Sequence, residues 1–275
     1  MQKIKTNIIY PIFIPHQGCP YRCIYCDQNK ITKVLNKSDE NKEFIPDLLQ
    51  IQNFINKHKN KYKEIAFYGG TFTRLTIEEI NSYLSKITPF MDEKTFFRIS
   101  TRPDLINDKI LQYLKSWRIN TIELGIQTFS DNGLKSINRG YTSEIAEKSC
   151  NMVLLNGFNL SIQLLIGLPE ENSLSIKENI DKLIEIKPDF VRLYPLLVLK
   201  DTELENMYIK KEYTPLDIDE AIKICSIYLK SCEDNGIKII KIGLHSDISR
   251  DVVIAGPFHE RFGEIVKAVV VKHPV

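Results

Sequence analysis

Seven short apolar runs recur along the chain, separated by stretches whose apolar residues fall at helical spacing. The runs are Ile8 to Ile14, Glu64 to Tyr68, Phe96 to Ser100, Thr121 to Gln127, Leu160 to Ile166, Phe190 to Leu199 and Ile237 to Ile242. Between them, Leu48, Ile51 and Ile55 share a helical face, as do Ile176, Ile180, Leu183 and Ile184. Ile218, Ala221, Ile222, Cys225 and Leu229 make a third such face. Strands alternating with helices form βα units and a parallel sheet. Right-handed crossovers curl that sheet into a full or partial barrel, with its working loops at the C-terminal ends of the strands.

The strands predict two unlike faces. Glu123, Gly125 and Gln127 oppose Ile122, Leu124 and Ile126, while Arg98, Ser100 and Arg102 oppose Phe97, Ile99 and Thr101. Ser161 and Gln163 oppose Ile162 and Leu164; Arg192 and Tyr194 oppose Val191 and Leu193. Parallel strands covered on both sides are usually apolar on both faces. Buried polar groups need partners, so the polar face is expected to line a wet, ligand-holding cavity.

A chain of 275 residues suits one large domain, or one domain with a small appendage. A core over residues 1–245 is expected, with a short C-terminal extension over residues 246–275 packed on it and Gly256-Pro257-Phe258-His259 marking a turn. No uninterrupted apolar run reaches membrane-spanning length, and Met1-Gln2-Lys3-Ile4-Lys5 lacks a signal peptide's apolar segment, so no membrane association and a cytoplasmic location are expected. The net charge of +2 neither requires nor excludes a nucleic-acid partner. The basic run from Lys57 to Lys63 reads as the solvated end of a helix.

The six cysteines divide unevenly. Cys150, Cys225 and Cys232 sit within helical patterns and read as inert core thiols. Cys19, Cys23 and Cys26 are crowded into Gly18-Cys19-Pro20-Tyr21-Arg22-Cys23-Ile24-Tyr25-Cys26, directly after the first strand, with C-x3-C-x2-C spacing. Such gaps let one looping segment present three thiolates to an iron–sulfur cube and leave one iron open for chemistry. The rival reading closes a structural Cys3His zinc site with His16. Cys23 and Cys26 make a poor redox pair, because three close cysteines are one too many.

The cysteine loop, with Tyr25 before its last cysteine, and Phe67-Tyr68-Gly69-Gly70-Thr71 resemble the signatures of the radical S-adenosylmethionine (SAM) superfamily. A narrower resemblance, covering nearly the whole chain, is to the radical SAM module of the elongator catalytic subunit and its small bacterial relatives. It rests on Ser100-Thr101-Arg102-Pro103-Asp104, Glu123 to Phe129, Asn138-Arg139-Gly140-Tyr141-Thr142, Gly167-Leu168-Pro169, Arg192-Leu193-Tyr194-Pro195 and Gly256 to His259. The oxygen-independent coproporphyrinogen oxidases share much of this plan. The resemblance implies an α/β fold, a partial (β/α)6-type TIM barrel, and two cofactors, a [4Fe–4S] cluster and S-adenosyl-L-methionine. It also implies an external one-electron donor of flavodoxin or ferredoxin type. One electron from the reduced cluster would cleave the sulfonium, giving methionine and a 5′-deoxyadenosyl radical that abstracts hydrogen from substrate; the chemistry belongs to the cofactor and the positioning to the protein.

Carried onto this chain, the resemblance implies that Cys19, Cys23 and Cys26 ligate iron and that Tyr25 lies beside SAM. Gly69, Gly70 and Thr71 would receive the methionine amino end, Gln127 the ribose and Arg139 the carboxylate. Gly167 and Leu168 would lie against the adenine. Ser100 and Gln163 stand where the coproporphyrinogen oxidases carry carboxylates that touch the cofactor, and are candidate SAM contacts. Arg98, Arg192 and Tyr194 share inward parity and are candidate substrate contacts. The elongator subunit joins its module to an acetyltransferase domain and modifies a wobble uridine in tRNA; this chain is expected to lack that domain, leaving tRNA or a small molecule as substrate. The alternatives are a coproporphyrinogen-oxidase-like oxidative decarboxylase and a zinc-stabilised RNA-binding or scaffold protein.

Overall fold

The computed structural model describes residues 5–6, 8–14, 22–26, 46–244 and 248–272. Seven strands form one parallel sheet: β1 (Ile9–Phe13), β2 (Lys63–Tyr68), β3 (Thr95–Thr101), β4 (Ile119–Gln127), β5 (Asn159–Ile166), β6 (Phe190–Pro195) and β8 (Lys238–Ile242), paired in that order. Helices separate the strands, as the alternating pattern requires: α1 (Leu48–Lys57), α2 (Ile77–Ile87), α3 (Asp108–Lys115), α4 (Asp131–Ser136), α5 (Ser143–Leu155), α6 (Ser173–Ile186), α7 (Glu203–Ile209) and α8 (Ile218–Asp234). Reciprocal caps start three of them, between Thr76 and Glu79, Asn172 and Ser175, and Asp217 and Glu220.

The sheet is a curled half-barrel. β1 and β8 are its two edges, yet Ile9, Pro11 and Phe13 of β1 and Lys241 of β8 line one cavity, so the edges face each other across a lateral opening. Pro11 suits an edge strand, where a missing N–H breaks no interior ladder. The apolar face of the strands and the inner faces of the helices make the main core, including Ile65, Phe97, Ile122, Ile162, Val191, Cys150, Cys225 and Cys232. Burial pushes the Cys225 and Cys232 thiols up to about 12, so they are inert packing groups.

The expected strand Phe190 to Leu199 is shorter than read. It ends at Pro195, and Val198–Leu199 turns away as β7 to pair antiparallel with β9 (Val253–Ala255). The remaining C-terminal residues end in α9 (Phe262–Lys272), which sets Phe262 and Val266 into the main core. Gly263 lets α9 meet the end of β8, since a Cβ there would lie 2.4 Å from the Ile242 carbonyl oxygen. No described helix is long and apolar enough to cross a membrane.

Candidate functional site

Cys23 and Cys26 lie on one turn, with Cys26 N donating to Cys23 O at 3.1 Å. The barrel grips Ile24, one of the two residues between them: Ile24 N donates to Ile137 O at 3.4 Å, and Leu204 N donates to Ile24 O at 2.8 Å. Ile24 packs in a second apolar cluster with Ile137, Leu165, Leu168, Leu196 and Leu204, and Tyr25 lies against it. The turn is therefore fixed to the C-terminal ends of β5 and β6. Cys19 and His16 lie outside the described residues.

The end of β4 meets this turn. The buried Arg139 donates from Nη1 to Cys23 Sγ at 3.4 Å, from Nε to the Tyr141 hydroxyl at 3.0 Å, and from Nη2 to the Gly125 carbonyl. Tyr141 in turn bonds the Gly125 and Ile126 carbonyls, each at 3.0 Å. Arg102, held by Asp104 at 2.9 Å, donates to the Arg139 carbonyl at 2.6 Å. The Arg139 guanidinium is thereby fixed beside the Cys23 sulfur.

A bulge re-aims Gln127. Gly125 pairs with Gln163 and Gln127 with Leu164, which leaves Ile126 extra. Gln127 adopts φ 72°, a conformation costly for a side-chain-bearing residue and concentrated at functional sites. A Cβ on Gly125 would lie 2.8 Å from Gln127 Nε2 and 3.0 Å from Arg139 Nη2, so both polar tips converge over this glycine. Gln127 Oε1 is buried with no hydrogen-bond partner among the described residues. An unpaired buried acceptor beside a guanidinium and two clustered cysteines is of the kind that fits an iron–sulfur cluster carrying a polar, carboxylate-bearing ligand.

The other residues singled out from the sequence gather at the same end of the barrel. Gly69, at φ 96°, and Gly70 follow β2, and the buried Thr71 precedes a short 3-10 turn, Phe72–Arg74. Ser100 pairs in register with Glu123. Gln163 lines a cavity of about 110 Å³ with Tyr25, Leu165, Tyr194 and Leu196. Gly167 has both backbone groups committed, its N–H to Glu171 Oε2 at 2.7 Å and its carbonyl to the Tyr213 hydroxyl at 2.6 Å. Burial pushes the Glu171 carboxyl up to about 7, only partly opposed by that backbone bond.

Arg98, Arg192 and Tyr194 share the inner face as expected, but at different depths. Arg98 has no exposed surface; its Nη2 lies 2.8 Å from Glu64 Oε2, and its Nη1 lies 3.5 Å from Glu123 Oε2. It belongs to a closed floor in which Asn120 and Thr121 also bond Glu64, and Ser161 bonds Glu123. The lower part of the polar face is thus filled by ion pairs, whereas a wet cavity was expected along all of it. Arg192 caps that floor, with Nε 2.9 Å from Glu123 Oε2, and donates to the hydroxyls of Tyr194 at 3.1 Å and of Tyr68.

Glu64, Arg102, Tyr141, Glu171 and Lys241 carry parts of this arrangement that sequence reasoning left unassigned. For Glu64 a signal exists, a carboxylate beside Lys63 at the start of an otherwise apolar strand.

Comparisons with known proteins show the family and the fold. The family model described as the radical SAM superfamily matches residues 13–183, and that of the radical SAM C-terminal domain matches residues 188–271. A tRNA uridine(34) acetyltransferase of Methanocaldococcus jannaschii is 32% identical over 240 residues, 79% of this chain and 44% of that protein. The heme chaperone HemW of Lactococcus lactis is 29% identical over 205 residues, 74% of this chain and 52% of that protein. Among solved structures, an N-terminally truncated Elp3 of Methanocaldococcus infernus superposes with TM-score 0.70 at 24% identity, covering 82% of this chain and 58% of that one. The coproporphyrinogen III oxidase HemN of Escherichia coli gives 0.58 at 18% identity, covering 83% and 52%. The chain spans about half the length of these curated relatives.

Proposed function

This chain belongs to the radical SAM superfamily, and on that premise we propose that it uses S-adenosylmethionine to abstract hydrogen from a substrate held in the half-barrel. A [4Fe–4S] cluster, when bound, supplies the electron that cleaves the sulfonium to methionine and a 5′-deoxyadenosyl radical. Cys23 and Cys26, with Cys19, hold it. Arg139 takes the SAM carboxylate and neutralises charge beside Cys23; Gln127 offers its unpaired oxygen to a ribose hydroxyl. Gly69, Gly70 and Thr71 receive the amino group. The apolar cluster around Ile24 and Leu168 keeps water away from the reacting atoms. Family members need a reductant, and a flavodoxin or ferredoxin suits that role here.

The observation that carries this reading is the convergence of Arg139 and Gln127 over Gly125, within 3.4 Å of Cys23 for Arg139. Anaerobic reconstitution with iron and sulfide, followed by dithionite and SAM, is expected to release 5′-deoxyadenosine. A full cluster that yields none would overturn the proposal. Likeness to tRNA uridine(34) acetyltransferases favours a tRNA nucleotide as substrate, so added tRNA should accelerate that release.

A further inference from the structure

Among the described residues, Arg98, Arg192 and Lys241 face the inside of the half-barrel below the Arg139 end, against Glu64 and Glu123. Arg98 and Arg192 are spent on the two carboxylates. Lys241 has no hydrogen bond or ion pair among the described residues. A bulge brings it there: Val191 pairs with Ile239 but Arg192 with Lys241, so Ile240 is the extra residue and Lys241 stands beside Arg192. The same row continues through Gln163 to Gly125, where Arg139 and Gln127 converge.

Lys241 lines the cavity of about 190 Å³ at the lateral opening, together with Pro11, Phe13, Tyr68, Arg192 and Tyr194. It also walls an outer groove of about 350 Å³ with Ser249, Arg250, Phe258 and Glu260. Lys241 therefore stands where groove and barrel interior meet. Half-burial and the neighbouring Arg192 both lower its pKa, so the charged form is held at a cost that no hydrogen bond or ion pair among the described residues offsets. An apolar residue would be cheaper at this position. Lysine here is explained by a ligand that supplies the missing negative charge.

We propose that Lys241 is a substrate-recognition residue, taking an anionic oxygen group, phosphate or carboxylate, of a substrate that enters between β1 and β8. The proposal rests on the half-barrel being the substrate chamber, but not on turnover. The test uses the reconstituted protein and its Lys241→Met variant in thermal unfolding, with inorganic phosphate, succinate or chloride at matched ionic strength. Without added anion the variant should unfold at or above the wild-type temperature, since an uncompensated charge is removed. Phosphate or succinate should raise the wild-type Tm over chloride by roughly 2–4 °C near saturation, and this rise should vanish in Lys241→Met and persist in Lys241→Arg. The more effective anion identifies the substrate group. Equal shifts in wild type and Lys241→Met, or no shift beyond chloride in the wild type, would overturn the proposal. Loss of 5′-deoxyadenosine formation with anion binding intact would instead count against the radical reaction alone.

Discussion

Gly125 is the residue on which the cofactor end of the barrel turns. Its carbonyl accepts from both Arg139 and Tyr141, and its missing Cβ is the space in which Gln127 and Arg139 tips meet. Gly125→Ala would put a methyl group 2.8 Å from Gln127 Nε2. The tips are the movable ends of long side chains, so the fold can yield and the site cannot. Gly125→Ala is expected to shift the unfolding midpoint little, while SAM affinity of the reconstituted protein falls at least tenfold, about 1.4 kcal/mol, by equilibrium dialysis. Comparable SAM binding in the variant would remove Gln127 and Arg139 from the site. Gln127 and Arg139 are singled out in the sequence by motif, whereas Gly125 stands out there only as one residue of the polar strand face. Lys241 does not stand out, because strict alternation pairs it with Ile239 and only the bulge turns it beside Arg192. Bulges leave no reliable trace in local sequence, and three of them shape this chamber.

At the level of elements, the seven parallel strands were readable because period-two patterning and length set them apart from the helices. Their limits were less so. Phe190 to Leu199 looks like one apolar run, yet Pro195 ends it and the freed Val198–Leu199 finds β9, a pairing fixed only by tertiary contact. The loop after β5 carries its own prediction. Glu171 anchors Gly167 N, and its folded pKa is raised from an ordinary value of 4.5 to about 7 by burial. A carboxyl raised in this way prefers its protonated form in the fold, so ionisation destabilises the protein. The penalty is absent below pH 4.5, grows as pH rises towards 7 and stays constant above. At about 1.4 kcal/mol for each pKa unit, it approaches roughly 3 kcal/mol. Glu171→Gln keeps an oxygen for Gly167 N and carries no charge. The variant should therefore match wild type in urea unfolding near pH 4.5 and exceed it by a few kcal/mol at pH 8. A gap that does not widen with pH would mean that Glu171 is ionised without cost.

Across the whole molecule, the floor of ion pairs ties five neighbouring strands together from inside. Glu64 comes from β2, Arg98 from β3, Glu123 from β4, Ser161 from β5 and Arg192 from β6. The curl of the sheet, and hence the spacing of the loops that carry Gly69, Gln127 and Gly167, depends on this network. Arg98 is its centre, with no exposed surface and two carboxylates in reach. Arg98→Met would leave Glu64 and Glu123 buried with too little compensation, the case in which removing one partner costs about 3–5 kcal/mol. Replacing all three together, as Glu64→Gln, Arg98→Met and Glu123→Gln, removes the stranded charges and should restore much of that loss. Denaturant unfolding of the single and triple variants measures both effects. If Arg98→Met unfolds at the wild-type midpoint, then Arg98 is not the keystone of the floor, and its place among the candidate substrate contacts becomes the better account of it.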